Sequence, residues 1–287
     1  MEDIPLYVGK RRNILILSGG GIKGLAMLGA LKCLIDNDII VKPDIICGTS
    51  VGSIIGLYLA IGYTPQDIYN LLLELDFAHL LKPDFDNILN EICFGFNSTD
   101  NIIYIVKTLI EKKNISNKIT FKELFDKFKI KLIITGTCLN DSTLHYFSVD
   151  NSPTMEILKA VRISISIPIF FKPYIYKNKI WIDGGCIEHY PITLFKDKLH
   201  DVIGVLLDDK NNNMESSDFD SIDKYIVKII KCIAFGSIHN KYEIYLKNTI
   251  HIKCFNEETE SWEIDNDYKI KMYNLGYETA NKFIKEN

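Results

Sequence analysis

One serine lies between two glycines at the point where a short apolar strand pattern gives way to an apolar helix pattern. Gly48 and Gly52 flank Ser50, after a predicted strand at residues 44–47 and at the start of a predicted helix at residues 51–61. A sharp turn from strand to helix crowds the residues beside its apex, so glycines there allow the turn and leave the serine hydroxyl at the top. The N-terminal end of a helix also stabilises negative charge. Ser50 is therefore a candidate nucleophile, and a turn without chemistry is the alternative for this motif taken alone.

A second glycine motif follows the first predicted strand, at residues 13–17. Gly19, Gly20 and Gly21 separate this strand from a helix pattern at residues 22–35. The first backbone N–H groups of a helix have no partners within it, so such a loop can bind phosphate or the negative oxygen of a tetrahedral intermediate. Because adjacent parallel strands place their carboxyl ends side by side, we expect this loop to face the serine motif across one crevice.

Two nucleotide-binding interpretations of this loop fit the sequence poorly. A P-loop requires lysine and then serine or threonine after its last glycine, whereas Gly24 is followed by Leu25. A dinucleotide fold places an acid at the end of its second strand, but the second strand here ends at Cys47 and Asp44 lies at its start. The sequence favours the third interpretation, an oxyanion hole beside a serine nucleophile.

A serine nucleophile needs a base, and the sequence offers two kinds. Asp183 follows a predicted strand and precedes Gly184 and Gly185, which predicts a second tight turn at the edge of the sheet. An aspartate that only supports its own turn is the alternative for this motif. A Ser-His-Asp triad of the α/β-hydrolase type also remains open, with His251 and an acid such as Asp201 as its other members, although that fold places several strands before its serine.

Strand and helix patterns alternate along most of the chain. This alternation predicts an α/β fold of three layers, in which helices cover both faces of a central and mostly parallel sheet. Two of the helices begin with capping signals, at Thr64 and Thr120. The other predicted elements are strands at residues 131–139, 144–149, 202–207 and 249–253, a hairpin at 174–182, and helices at 153–163, 221–238 and 266–285.

The composition excludes several classes of protein. The chain has 287 residues, is 47% hydrophobic and carries a formal net charge of -4, without a basic stripe that would bind nucleic acid. Its seven cysteines lack paired spacing, which indicates reduced thiols and a cytoplasmic location. The longest apolar run, around residues 54–61, is too short to span a bilayer, so we expect any membrane contact to be peripheral.

The three glycine motifs, in this order and at these intervals, resemble those of the patatin-like phospholipases, over about residues 13–197. Two positions depart from the family pattern, since the family often has arginine at the position of Lys23 and asparagine at that of His189. The matching stretches are Gly19-Gly20-Gly21-Ile22-Lys23-Gly24, Gly48-Thr49-Ser50-Val51-Gly52, Asp183-Gly184-Gly185 and residues 160–170, with Pro191 after them.

The resemblance implies a patatin-like catalytic domain at residues 13–197, which a strand and helices at residues 198–287 complete or flank. It implies a dyad in which Ser50 attacks an ester carbonyl and Asp183 accepts the proton, with the glycine loop as oxyanion hole and without metal, cofactor or nucleotide. The substrate that it implies is a lipid or phospholipid acyl ester. A non-enzymatic lipid-binding protein on a hydrolase fold is the alternative from another class.

Two aromatic stretches bear on how a lipid would reach the site. Residues 77–96 form either a lipid-facing lip of the crevice or a helical cap on the core. Residues 170–176 either face lipid or pack into the core as part of the predicted hairpin, and we favour packing into the core.

Overall fold

Ten strands and seven α-helices make up the described part of the protein. The computed structural model describes residues 11–77, 95–209, 229, 242–254 and 264–287. The strands are β1 (Ile14–Leu17), β2 (Ile45–Gly48), β3 (Gly95–Asn97), β4 (Lys131–Cys138), β5 (Thr143–Phe147), β6 (Ile169–Phe171), β7 (Tyr174–Tyr176), β8 (Lys179–Asp183), β9 (Val202–Asp209) and β10 (Thr249–Cys254). The α-helices are α1 (Gly24–Asp36), α2 (Val51–Ala60), α3 (Pro65–Glu74), α4 (Asp100–Lys112), α5 (Phe121–Phe128), α6 (Ile157–Ser164) and α7 (Asn266–Glu286).

Eight strands form one mixed sheet in the order β10-β9-β1-β2-β4-β8-β7, with β5 also paired to β4. The strands from β10 to β4 are parallel, whereas β5 and β8 run antiparallel to β4. Along β4, Gly48 at the end of β2 is opposite Ile134, and Asp183 at the end of β8 is opposite Gly136. The register therefore brings the serine turn and the aspartate turn to the same edge of the sheet.

Apolar side chains on both faces of the sheet build two separate core clusters. Leu15 and Leu17 of β1 belong to the larger cluster, together with buried residues of all seven α-helices. Ile14 and Ile16 belong to a smaller cluster, to which the 3-10 helical segments Pro191–Asp201 and Glu243–Asn248 contribute. Alternate residues of a strand point to opposite faces, so β1 is buried on both sides. The predicted three-layer α/β fold is confirmed.

Two helices begin at the capping signals that the sequence contains. At the start of α3, the Thr64 side chain accepts the Asp67 N–H and the Asp67 side chain accepts the Thr64 N–H. Thr120 and Glu123 make the same pair of hydrogen bonds at the start of α5. Each cap stabilises its helix by about 1 kcal/mol and fixes where it begins.

The C-terminal helix α7 packs closely across α1. A Cβ atom on Gly29 of α1 would lie 1.9 Å from the Tyr273 carbonyl oxygen, and one on Gly276 of α7 would lie 1.8 Å from that of Ala26. Lys269 of α7 donates hydrogen bonds to the carbonyls of Leu73 and Leu75 at the end of α3. Because β10 pairs with β9 in the main sheet, the described C-terminal residues pack directly on the strands and helices that precede them.

Some sequence predictions differ from the structure or lie outside its described residues. The helix expected at residues 153–163 begins only at Ile157, after a turn. Two other predictions lie outside the described residues. They are the helix expected at residues 221–238, of which only residue 229 is described, and most of the aromatic stretch at 77–96. Within the described part of the chain, no helix combines the length and the hydropathy needed to cross a membrane.

Candidate active site

Ser50 occupies the apex of the turn between β2 and α2, with a backbone φ of 53° and ψ of −125°. Such a conformation costs a non-glycine residue about 1–3 kcal/mol and persists only where the surroundings enforce it. The neighbouring glycines are required by packing, since a Cβ on Gly48 would lie 2.4 Å from the Gly52 carbonyl oxygen. A Cβ on Gly52 would lie 2.5 Å from the Ser18 carbonyl oxygen. Only 6% of Ser50 is exposed, so its side chain is almost completely excluded from solvent.

The last residue of α6 and the segment after it contact both the serine turn and the aspartate strand. Ser164 Oγ, at the last residue of α6, accepts the backbone N–H of Ser50 at 2.9 Å. The carbonyl oxygen of Ser166 accepts the backbone N–H of Asp183, also at 2.9 Å. These two contacts connect the stretch at residues 160–170 to the serine turn and to the aspartate strand, a function that the sequence did not reveal.

Asp183 is buried at the end of β8, where 4% of the residue is exposed. One carboxylate oxygen accepts the Gly185 N–H at 2.7 Å. Burial raises the pKa of Asp183 to about 7, and the hydrogen bonds from the Gly185 backbone and the Ser50 side chain oppose this rise. Desolvation disfavours the charged carboxylate, so the group is a much stronger base than an ordinary aspartate.

Two buried threonines connect the serine turn to the aspartate turn. Thr135 of β4 donates a hydrogen bond to Thr49 Oγ1 at 2.8 Å, and Thr49 donates one to the Glu188 carbonyl at 3.3 Å. Gly184 packs directly on Thr135, because a Cβ there would lie 2.2 Å from Thr135 Oγ1. The glycine after Asp183 is therefore needed for the close approach of its turn to β4.

The glycine loop leads from β1 into α1 beside the serine. Gly20 has a φ of 150° and Gly21 a φ of 56°, conformations that favour glycine. The Gly19 N–H, the first of the three expected oxyanion donors, donates to the His189 carbonyl at 3.0 Å. Among the hydrogen bonds of the described residues, none uses the N–H of Gly20 or Gly21. These two N–H groups are the remaining donors of the motif.

Lys23 and Gly24 join the loop to its surroundings. The Lys23 N–H donates to the Gly20 carbonyl at 3.1 Å, which closes the loop. Gly24 lies against the helix after the serine, since a Cβ there would lie 2.7 Å from a methyl carbon of Val51. Both residues support the conformation of the motif through contacts next to Ser50.

His189 lies beside the glycine loop and Ser50, although no motif in the sequence indicates a function for it. Its Nε2 is 3.3 Å from the Leu207 carbonyl oxygen, which it can donate to as a neutral imidazole. A Cβ on Gly19 would lie 3.0 Å from His189 Nδ1 and 3.4 Å from Ser50 Cβ, so the ring packs beside the glycine loop. Burial lowers the pKa of His189 to about 4, although the hydrogen bond to the Leu207 carbonyl opposes this shift. Its ring is neutral at physiological pH.

His251 and Asp201, the other residues of the alternative triad, each pair with a different residue. His251 Nε2 on β10 lies 2.9 Å from a carboxylate oxygen of Asp208, on the neighbouring strand β9. Asp201 pairs instead with His200, at 3.1 Å. The Ser50 side chain lies close enough to Asp183 to lower the pKa of its carboxyl. The combination of His251 and Asp201 is therefore not assembled.

A group of possible metal ligands occurs on the hairpin of β4 and β5. The ligand atoms of Cys138, Asp141 and His145 lie within 4.8 Å of one another. Thr143 already hydrogen bonds to both Asp141 and His145, and Lys179 pairs with Asp141 at 2.8 Å. The Asp141 carboxylate and the His145 ring are thus bonded to neighbouring side chains, and none of the described hydrogen bonds of this group reaches Ser50 or Asp183.

The sequence matches the patatin-like phospholipase family over residues 15–196, a range that contains all three glycine motifs. The chain belongs to this family. It is 35% identical to protein R571 of Acanthamoeba polyphaga mimivirus, over 90% of this chain and 88% of that protein. It is 32% identical to the "Probable lipid hydrolase 463L" of Invertebrate iridescent virus 6, over 97% of this chain and 91% of that protein.

The fold also resembles a solved structure, VipD from Legionella pneumophila. The TM-score is 0.64 at 16% sequence identity, and the match covers 96% of this chain and 67% of that one. At this sequence identity the similarity supports the fold alone. The chemistry has to be inferred from the residues of the site.

Proposed function

We propose that this protein hydrolyses lipid acyl esters with a Ser50–Asp183 dyad. The observation that carries the proposal is the buried Asp183 carboxyl at the same edge of the sheet as Ser50, where burial raises its pKa to about 7. A base with a pKa near the working pH combines a sufficient ionised fraction with a sufficient proton affinity. An ordinary aspartate, with a pKa near 3.9, would be a poor base for an alcohol.

In acylation, Ser50 Oγ attacks the ester carbonyl carbon while Asp183 takes the hydroxyl proton. The C=O electron pair moves to the oxygen, and the N–H groups of Gly20 and Gly21 stabilise the resulting negative charge. When the tetrahedral intermediate collapses, the C–O bond to the alcohol breaks and Asp183 returns its proton to the leaving oxygen. The acyl group is then bonded to Ser50.

In deacylation, Asp183 takes a proton from a water molecule, whose oxygen attacks the acyl carbon. The second intermediate collapses with release of the fatty acid, and Ser50 regains the proton. The same carboxyl thus acts as base and as acid in both half-reactions. These steps require neither a metal, a cofactor nor a nucleotide, and we assign none.

The substrate class is a lipid or phospholipid acyl ester. Support comes from the family match and from the name of the iridescent virus relative, "Probable lipid hydrolase". We propose a cytoplasmic protein that meets its substrate at a membrane surface and has no nucleic acid partner. A triad with a histidine base and a lipid-binding protein without activity are the competing functions.

Fluorophosphonate labelling tests the proposal without a guess about the head group. The probe phosphorylates an activated serine, and peptide mapping should place the adduct on Ser50 and on no other serine. The same protein should release fatty acid from phospholipid vesicles, and Ser50→Ala should do neither. A folded protein that remains unlabelled and releases no fatty acid would show that the proposed hydrolase activity is wrong.

A further inference from the structure

Three exposed aliphatic side chains form a row across adjacent chain segments near the site. Ile175 of β7 is paired with Ile180 of β8, and the Leu139 N–H, just after β4, donates to the Ile180 carbonyl at 2.9 Å. Ile175 is 71% exposed, Leu139 48% and Ile180 38%. Paired residues on neighbouring strands lie on the same face, so these side chains form one apolar ridge.

The chain around this ridge carries positive charge. Residues 172–180 (KPYIYKNKI) contain three lysines and no acidic residue, in a chain of formal net charge -4. Lys177 lies in the turn of the hairpin, and Lys179 pairs with Asp141 at 2.8 Å. Tyr174 and Tyr176 flank Ile175 on the other face of β7, where they pack against the larger core cluster and leave Ile175 as the outward residue of the strand. Exposed isoleucine and lysine together suit the boundary between acyl chains and anionic head groups.

The position of the hairpin would also allow it to contact a lipid surface close to Ser50 and Asp183. Asp183 is opposite Gly136 of β4 and Trp181 is opposite Cys138, so earlier residues of β8 extend beyond the carboxyl end of β4. Ile180 therefore lies about 10 Å beyond the level of Asp183, at about 3.3 Å per residue. The hairpin projects from the edge of the sheet that carries Ser50 and Asp183.

We propose that the β7–β8 hairpin, with Leu139, is the surface that docks this protein on an anionic lipid bilayer. The inference rests on the proposed function and adds where the enzyme meets its substrate. It also modifies the expectation for residues 170–176, which we favoured as hairpin core. Phe171 is indeed buried, whereas Ile175 points outward.

Vesicle sedimentation with two matched isoleucine variants tests the docking surface. Ile244 is 74% exposed and lies in the segment just before β10. In the order of the strands, β10 and β7 are the two outermost strands of the sheet. With vesicles of phosphatidylcholine and phosphatidylserine, Ile175→Ser should weaken binding about tenfold, because one side chain no longer enters the interface. Ile244→Ser should bind like the wild type. Equal binding of all three proteins would overturn the proposal.

A lysine variant and a change of lipid composition test whether docking requires anionic head groups. Lys177→Glu should weaken binding to phosphatidylserine vesicles at least about fivefold, because each lysine near an anionic surface contributes roughly that factor. Wild-type binding should fall when phosphatidylcholine is the only lipid. Equal wild-type binding to both compositions would contradict docking on an anionic bilayer. If Ile175→Ser dissociates a dimer and leaves vesicle binding intact, the ridge joins two copies of the chain, and the proposal is wrong.

A soluble short-chain ester separates failure of docking from failure of the proposed function. Ile175→Ser should hydrolyse this ester at the wild-type rate and hydrolyse vesicle lipid more slowly. If the wild type binds vesicles through the hairpin but cleaves neither substrate, the docking surface stands and the hydrolase function fails. If Ile175→Ser cleaves vesicle lipid at the wild-type rate, the docking surface fails and the hydrolase function stands.

Discussion

Ser164 Oγ accepts the backbone N–H of Ser50 at 2.9 Å, and this bond joins the end of α6 to the strained turn of the nucleophile. Ser164 and Ser50 are both buried. Two residues further along, the carbonyl of Ser166 accepts the Asp183 N–H. One short segment therefore sets the distance between the proposed nucleophile and its base. We regard Ser164 as a positioning residue, since its side chain acts through the backbone of Ser50.

Loss of the Ser164 hydroxyl should lower kcat with little change in KM. Ser164→Ala leaves the Ser50 N–H without its acceptor, and a nucleophile displaced by a fraction of an ångström loses roughly ten- to a hundredfold in rate. Labelling of Ser50 by a fluorophosphonate should slow by a similar factor. Ser166→Ala is the matched control, because among the described residues its hydroxyl bonds only to the Arg162 carbonyl, and its own carbonyl remains to hold Asp183. Equal kcat values for the two variants would contradict the positioning function.

Replacement of Asp183 should abolish hydrolysis, whereas replacement of His251 should not. Asp183→Asn keeps the shape and the acceptor for the Gly185 N–H but cannot take a proton, so kcat should fall by about 10³-fold or more. His251→Ala removes only the pair with Asp208 and should retain most activity. His189→Ala leaves a cavity beside the glycine loop, and we expect a loss of at most about tenfold. Kinetics on one short-chain ester would favour a triad if a histidine variant were as inactive as Ser50→Ala.

The rate should depend on pH with a midpoint near 7. Burial raises the pKa of Asp183 to about 7, and only the ionised carboxylate accepts a proton. Therefore kcat/KM should fall tenfold for each pH unit below 7 and become constant above it. His189, whose pKa is about 4, stays neutral over this range and should not move the midpoint. A midpoint at pH 4–5 in a pH series on a soluble ester would show that Asp183 has an ordinary pKa and would contradict this prediction.

Asp183→Asn should also make the protein more stable above pH 7. The folded protein raises the pKa of Asp183 from 3.8 to about 7, so it binds a proton that the unfolded chain has released. The wild type therefore loses stability as pH rises from about 4 to 7 and keeps this deficit at higher pH. Relief of the buried charge should increase the free energy of unfolding at pH 8 by about 2–4 kcal/mol. Urea unfolding at several pH values measures this gain, which should disappear below about pH 4.

The sequence predicted the parts of the site that backbone geometry demands. Glycines on both sides of Ser50 and after Asp183 indicated tight turns, and the alternation of strands and helices placed those turns at one edge of a sheet. The contact from Ser164 could not be predicted, because it depends on where α6 ends in space and no periodicity encodes that. The same holds for His189, whose carbonyl occupies the Gly19 N–H and whose ring fills the space beside it. Long-range contacts of this kind appear only once the register of the sheet is known.

The glycine loop should act through its backbone donors, and two glycines of similar conformation can test this. Gly21 has a φ of 56° and Gly62, between α2 and α3, a φ of 88°, and a Cβ on either would meet nothing within 4 Å. Alanine at either position should cost roughly 1 kcal/mol of stability, because the left-handed conformation disfavours a side chain. In Gly21→Ala alone, relaxation of that strain also shifts the proposed oxyanion donors, and kcat should fall by up to about 10²–10³-fold. Gly62→Ala should keep the wild-type kcat. If both variants lose the same stability and neither loses activity, the loop does not form the oxyanion hole. Calorimetry of the wild type with ATP or NAD is a second test, because binding at micromolar concentration would make the loop a nucleotide site instead.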